Sequence, residues 1–228
     1  MAKRKIVFVI VEGPSDDEAL GVLFSKIYDK DSVYVHIMHG DITTRAGVNS
    51  SNIVSKVGNC VRQYAAQNHY KQADFKEIIH IVDMDGAYVE PENVIYYNIE
   101  KTKYCLDCIK TKNVKNIINR NNCKSEILNR LSSTKTINSI PYKVYFFSTN
   151  LEHVLHNVQN ATREEKNILA QNFEDKFYNN PIKFIEFINN KKFALDKEYE
   201  ETWNFIKQGN NSLHRYTNFH LYFKGDSK

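Results

Sequence analysis

The chain has 228 residues, of which 42% are hydrophobic, and its formal net charge is +4. A chain of this length can bury a core without disulfide bonds, so we exclude a disulfide-rich miniprotein. The chain lacks an apolar run of about 18 residues, so we exclude a membrane span. The mildly basic charge suits a phosphate-backbone partner, although an ordinary soluble surface accounts for it equally well. Four cysteines without regular spacing indicate reduced thiols, so we expect a cytoplasmic protein.

The first part of the chain alternates between strand and helix patterns. Residues 5–11 are a continuous apolar run, which is typical of a strand buried on both faces. The run is short and leads straight into acidic residues, so we do not expect a signal peptide. A helix capped by Ser15 follows, running to about residue 28. The pattern continues with a strand at 33–38, a helix at 52–67 and a strand at 77–82.

This alternation predicts right-handed strand–helix–strand units and an α/β fold, with an open, mainly parallel sheet flanked by helices. Residues 87–140 break the alternation, and we interpret them as an insertion with one or two helices. The remaining predicted elements are a strand at 142–147, a helix from about Leu151, helices at 162–178, 181–190 and 196–208, and a strand at about 218–223.

The predicted organisation is therefore an α/β domain over residues 1–150 and a C-terminal extension over residues 151–228. We expect the extension to be mostly helical, to pack on the first domain and to end in a strand.

Acidic residues follow two of the predicted strands. Glu12 comes after the first strand, and Asp83 and Asp85 come after the third. Ligands of open parallel sheets bind beyond the carboxyl ends of the strands, so these carboxylates are predicted at one edge. If the segment is extended, Asp83 and Asp85 lie on the same side of it. Carboxylates so concentrated repel each other unless a cation lies among them, and this favours a bound Mg²⁺ or Mn²⁺ ion. The alternative to a metal site is that Asp83 and Asp85 belong to an acid-rich turn before Gly86.

The pairs Glu12–Gly13 and Asp83-Met84-Asp85 resemble the motifs of the Toprim domain, which is shared by topoisomerases, bacterial primases and nucleases of the OLD family. The run from Glu12 to Asp16, Glu-Gly-Pro-Ser-Asp, is most similar to OLD-type nucleases. The resemblance covers residues 4–90 and the predicted strand at 142–147. It implies a Toprim/Rossmann-like fold.

For function, the resemblance implies a divalent-metal-dependent nuclease that cleaves phosphodiester bonds in DNA or RNA. Glu12, Asp83 and Asp85 would be catalytic, with Glu12 as general acid/base or ligand, and Asp16 would join them in holding Mg²⁺ or Mn²⁺. Small stand-alone proteins of this kind often act in phage defence or abortive infection. A regulatory ATPase or another protein partner would then control the activity.

Five further residues are weaker candidates for the same site. Asp41 and Glu152 follow other predicted strands and could support it, whereas Arg45, His214 and Arg215 could bind phosphate. Each has a structural alternative, because Asp41 and Arg45 stand in a polar loop, Glu152 in the first turn of a helix, and the last two in a turn.

Two other functions remain open on the residues alone. One is a non-catalytic nucleic-acid or protein-binding module that keeps the fold. The other is a phosphotransfer enzyme or phosphatase with Asp83 as nucleophile, which leaves Glu12 without a role. Cys105, Cys108 and Cys123 suggest zinc only weakly, because the second half of a zinc ligand pattern is missing, and ordinary thiols are favoured.

Overall fold

The chain folds into a mixed, mostly parallel five-stranded sheet flanked by helices, together with a small three-stranded sheet. The structure is a computed structural model that describes residues 4–28 and 33–224, apart from the side chains of Val22 and Ser25. In these two ranges, every helix is too short or too polar to cross a membrane. The strands are β1 (Lys5–Val11), β2 (Val33–His39), β3 (Phe75–Asp83), β4 (Val94–Tyr96), β5 (Lys103–Tyr104), β6 (Ile109–Thr111), β7 (Thr136–Ile137) and β8 (Ile140–Phe147).

The helices confirm most of the predicted pattern. They are α1 (Pro14–Ile27), α2 (Ile53–Gln67), α3 (Val114–Ser132), α4 (Leu151–His156), α5 (Arg163–Phe177), α6 (Pro181–Ile188), α7 (Tyr199–Ile206) and α8 (Leu221–Lys224). Helix α1 begins at Pro14 with Gly13 as its N-cap, so the prediction that Ser15 caps it is wrong. A proline is favoured in the first turn because its missing N–H would have no partner there.

The order of the large sheet is β2-β1-β3-β8-β7. Strand β1 pairs in parallel with β2 on one side and with β3 on the other, whereas β7 and β8 are antiparallel. The side chains from Ile6 to Val11 are all at most 2% exposed, as expected for a parallel strand covered on both faces.

The chain forms two compact units, and each is assembled from three segments. Among the described residues, unit 1 lies within 1–81, 126–144 and 170–181, and unit 2 lies within 82–125, 145–169 and 182–228. Unit 1 holds β1, β2, α1 and α2, and unit 2 holds the small sheet, α4, α7 and α8. Both β3 and β8 begin in unit 1 and end in unit 2. The predicted division at residue 150 stays a prediction.

The region predicted as a helical insertion contains strands as well as helix. The small sheet, in the order β4-β6-β5, precedes α3, and β7 follows it. The predicted helix is present as α3, whereas the strands around it were not predicted. Strands of two or three residues are too short to show an alternation of polar and apolar side chains, so sequence pattern does not reveal them.

The strand predicted at about 218–223 is also wrong, because the chain there turns into α8 (Leu221–Lys224). Isolated bridges form nearby, from Thr217 to Phe147 and to Ala194. The hydroxyl of Thr217 accepts a hydrogen bond from the Phe219 N–H at 3.1 Å, which bends the backbone away from an extended course.

Gly86 is a position in unit 2 that disfavours any side chain. Its φ is +68°, and an added Cβ would lie 2.7 Å from Cδ1 of Ile109, which belongs to a buried cluster with Val89, Val94 and Leu213. We expect Gly86→Ala to lower the free energy of unfolding by about 2–3 kcal/mol, since it combines a left-handed backbone with overpacking. Urea unfolding of the whole chain measures this loss.

Gly47→Ala is the matched control for this prediction. Gly47 has a φ of +76° and nothing lies within 4 Å of its added Cβ, so this substitution tests the backbone conformation without the steric clash. Its expected cost is about 1 kcal/mol. Equal losses in the two variants would show that packing against Ile109 contributes nothing.

Candidate functional site

Asp83 ends β3 in unit 2 and is held by the start of a helix. Its Oδ1 accepts a hydrogen bond at 2.9 Å from the backbone N–H of Leu151, the first residue of α4. Asn150 caps the same helix by accepting a hydrogen bond at 2.8 Å from the His153 N–H. First-turn N–H groups have no partner within their helix, so a carboxylate there is well accommodated. Asp83 is 9% exposed.

Asp85 has a left-handed backbone, with a φ of +49°. The extended segment that would place Asp83 and Asp85 on one side therefore does not continue through Asp85, and that premise of the sequence analysis is wrong. A backbone hydrogen bond holds this turn: the Asp85 N–H donates to the carbonyl of Thr149 at 2.8 Å. Aspartate is among the few residues other than glycine that adopt this conformation readily.

A buried lysine neutralises the Asp85 carboxylate. Lys124 on α3 is 1% exposed, and its Nζ lies 2.6 Å from Asp85 Oδ2. A lysine is almost never fully buried unless its charge is paired. The positive charge that sequence analysis assigned to a metal ion is thus supplied, at Asp85, by the protein itself.

Arg120 and Tyr104 complete this cluster, which we call the Asp85 cluster: Asp85, Tyr104, Arg120 and Lys124. The Arg120 guanidinium donates at 2.7 Å to the Asp85 carbonyl and at 3.0 Å to the Tyr104 hydroxyl. The Tyr104 hydroxyl also donates to Asp85 Oδ1 at 3.5 Å. Burial, and after it the charge of Asp85, raises the pKa of Tyr104 to about 12. Tyr104 therefore stays a neutral hydrogen-bond donor at pH 7.

Thr149 is a second left-handed backbone position near these residues. Its φ is +54°, which is rare for a β-branched side chain. Besides the Asp85 contact, its N–H donates to the Ser212 carbonyl at 3.0 Å, and its hydroxyl donates to the Leu213 carbonyl at 3.1 Å. Backbone strain of this kind persists only where the surroundings enforce it, and it is concentrated at functional sites.

The other predicted residues of unit 2 are engaged around α4. Glu152 is 1% exposed and forms an ion pair with Lys166 at 2.9 Å. Arg215 donates from Nε to the Val154 carbonyl at 2.8 Å. The Arg215 guanidinium also lies over the Phe193 ring, 4.8 Å from its centroid. His214 lies 6.3 Å from the Tyr216 ring, measured between centroids. Glu152 and Arg215 thus have structural partners, and their predicted roles stay predictions.

In unit 1, Glu12 and Asp41 meet through a threonine. The Thr43 hydroxyl contacts Asp41 Oδ1 at 2.8 Å and Glu12 Oε1 at 3.5 Å. Asp41 Oδ1 also accepts from the backbone N–H groups of Thr43 at 2.9 Å and Thr44 at 3.1 Å, so it shapes its own loop. Arg45 is exposed in that loop.

Asp16 has a clear structural role at the start of α1. Its Oδ2 accepts a hydrogen bond at 2.8 Å from the Gly13 N–H, an acid at the third helical position reaching back to the N-cap. It is 5% exposed. The geometry accounts for Asp16 without a metal, and its predicted role as a ligand stays a prediction.

A divalent cation fits the donor chemistry of these residues in part. Glu12, Asp41 and Asp83 offer the carboxylate oxygens that Mg²⁺ and Mn²⁺ prefer, but Lys124 already compensates Asp85. Within residues 4–28 and 33–224, no group of three or more His, Cys, Asp or Glu side chains is arranged to hold a metal ion. Whether Glu12 and Asp83 share a cation stays a prediction.

Sequence reasoning missed Arg120, Lys124 and Tyr104. A signal was present for Lys124, because Asn121 and Lys124 occupy positions in α3 that the spacing of Ile117, Leu128 and Leu131 assigns to the apolar face. Polar residues at core positions mark places where a sequence serves something other than packing.

No match to this chain is found among models of known protein families, curated proteins or solved structures.

Proposed function

We propose that this protein is a divalent-metal-dependent nuclease of the Toprim type that cleaves phosphodiester bonds in DNA or RNA. The observation that carries the proposal is the strand arrangement. Strands β1 and β3 are parallel neighbours, Glu12 follows β1 by one residue, and Asp83 is the last residue of β3. Carboxylates that follow the carboxyl ends of neighbouring parallel strands are typical of a ligand site in this class of sheet.

The proposed roles follow the chemistry of each group. Glu12, half-buried and within reach of the Thr43 hydroxyl, would transfer a proton during cleavage, and Asp83 would hold the Mg²⁺ or Mn²⁺ ion. When bound, the cation would polarise the phosphate and lower the pKa of a water molecule. Arg120, which is partly exposed beside Asp85, adds positive charge that suits an anionic backbone. Phage defence and control by an ATPase belong to the proposal only through the Toprim resemblance.

A second candidate function is a non-catalytic nucleic-acid or protein-binding module. The ion pair between Asp85 and Lys124 favours it, because one carboxylate of the Asp-x-Asp motif is neutralised without a metal ion. This function predicts binding that does not need divalent cations.

The deciding experiment is cleavage of labelled single- and double-stranded DNA and RNA with Mg²⁺, Mn²⁺ or EDTA. We expect metal-dependent cutting by the native chain and its loss in Glu12→Gln and Asp83→Asn. The control is Glu18→Gln, an exposed acid on α1, which should cut normally. Cutting that persists in EDTA or in both site variants contradicts the assignment. Nucleic-acid binding in EDTA, without cutting under any condition, supports the second candidate.

A further inference from the structure

Two cysteines face each other across the hairpin between β5 and β6 in unit 2. The antiparallel register pairs Lys103 with Lys110 and Tyr104 with Ile109, so Cys105 is directly opposite Cys108 in the next position. The Cys105 N–H donates to the Cys108 carbonyl at 2.9 Å, which makes them a hydrogen-bonded pair.

This pairing brings the two residues to the separation that a disulfide requires. Residues in a hydrogen-bonded antiparallel pair have Cα atoms about 5.5 Å apart, within the range of about 4.4–6.8 Å found for disulfide-linked residues. Directly opposite side chains share one face of a hairpin. The Cys108 thiol accordingly interacts with the Cys105 thiol, and both cysteines are reduced in the structure.

The two thiols differ in access. Cys105 is partly exposed, whereas Cys108 is 5% exposed. Burial, and after it a hydrogen bond to Asp107, raises the pKa of Cys108 to about 11. A small reagent therefore reaches Cys105 first, and Cys108 stays protonated until a reactive sulfur is placed beside it.

The hairpin is anchored so that this pairing is maintained. Asn160 holds both backbone groups of Tyr104, accepting from its N–H and donating to its carbonyl, each at 2.8 Å. The Gln159 amide donates to the Cys105 carbonyl at 3.5 Å and to the Leu213 carbonyl at 2.9 Å. The pair is therefore preorganised, one residue away from the Tyr104 side chain of the Asp85 cluster.

We propose that Cys105 and Cys108 form a dithiol site that exchanges with low-molecular-weight disulfides of the glutathione type. The Cys105 thiolate attacks the small disulfide, forming a mixed disulfide and releasing one small thiol. Cys108 then loses its proton and attacks the Cys105 sulfur, which forms the intramolecular disulfide and releases the second small thiol. The two cysteines are oxidised, the small disulfide is reduced by two electrons, and the protons leave on the two small thiols.

The test uses the reduced full-length chain, incubated with mixtures of oxidised and reduced glutathione. Acid quenching, alkylation of the remaining thiols and peptide mass spectrometry then give the state of each cysteine. We expect the peptide with Cys105 and Cys108 to lose two hydrogen atoms and to resist alkylation, with reversal by dithiothreitol. The exposed Cys123 on α3 should reach only a mixed disulfide with glutathione.

Two variants make the test decisive. Cys108→Ser should trap Cys105 as its mixed disulfide, and the control Cys123→Ser should leave the internal disulfide unchanged. Circular dichroism checks that Cys108→Ser is folded. If this variant does not fold, the oxidation state of Cys105 and Cys108 in the native chain still tests the proposal. A native chain whose Cys105 accumulates as a mixed disulfide, or stays a thiol while Cys123 reacts, overturns the proposal. The outcome is independent of the proposed nuclease function, since no activity is measured.

Discussion

Asp85→Asn is expected to lower the free energy of unfolding by about 3 kcal/mol, because it leaves the charge of Lys124 buried without a counter-ion. Lys124 is 1% exposed and has Asp85 Oδ2 at 2.6 Å, so water cannot replace the lost carboxylate. Asparagine keeps the shape of aspartate and tolerates the φ of +49° at this position, so the substitution isolates the charge. Urea unfolding, with the midpoint and slope fitted separately, measures the loss.

The double variant Asp85→Asn/Lys124→Met separates the ion pair from other effects. Removing both charges leaves no unpaired ion, so the loss in the double variant should be smaller than the sum of the single losses by about 1–3 kcal/mol. Asp196→Asn is the control, because Asp196 is 77% exposed and lies 3.9 Å from the Lys224 ammonium. An exposed pair of this kind contributes less than about 1 kcal/mol.

Additive single losses would contradict this account. They would mean that Lys124 and Asp85 do not depend on each other, and that the polar face of α3 contributes through packing alone. Lys124 would then no longer be the positive charge that replaces a metal ion at Asp85. The ion pair would then no longer support the non-catalytic binding module.

The predicted fold was right where hydrophobic periodicity is long. The helix predicted at 52–67 is Ile53–Gln67, and the strand predicted at 77–82 is Phe75–Asp83. Buried parallel strands and amphipathic helices need one consistent pattern over many residues, so they can be read from sequence alone. The small sheet was not predicted, because its strands have only two or three residues. Helix α8 was not predicted, because the Thr217 side chain turns the chain there.

The candidate site was only half accessible to sequence reasoning. Asp83 and Asp85 could be named because they follow a strand, and strand ends are local features of the sequence. Their partners could not, since Lys124 and Arg120 lie 39 and 35 positions away and reach Asp85 only once α3 is packed. Pairing between distant segments is a property of the tertiary fold, and a single sequence offers only indirect signs of it, such as a lysine at an apolar position.

Acid should destabilise this protein well above the pH at which its carboxylates titrate. Burial, and after it the positive charge of Arg215, lowers the pKa of His153 from 6.5 to about 4. Burial, and after it the positive charge of Lys224, lowers the pKa of His220 from 6.5 to about 4. In the unfolded chain both histidines bind protons as the pH falls through 6.5, whereas the folded chain binds them only near pH 4. Their stability contribution is therefore complete above pH 6.5 and is lost progressively towards pH 4. The expected loss is about 2–3 kcal/mol for each histidine.

His220→Phe tests this expectation most directly. Neither ring nitrogen of His220 has a hydrogen-bond partner among residues 4–28 and 33–224, and the side chain is 2% exposed, so an apolar ring of similar shape costs little at pH 7.5. The variant should lose about half as much stability as the native chain when urea unfolding is compared at pH 7.5 and pH 4.5. The native chain, measured in parallel, gives the full pH dependence for comparison. If His220→Phe keeps it, His220 binds its proton equally well in the folded and unfolded chains, and acid sensitivity must come from other groups.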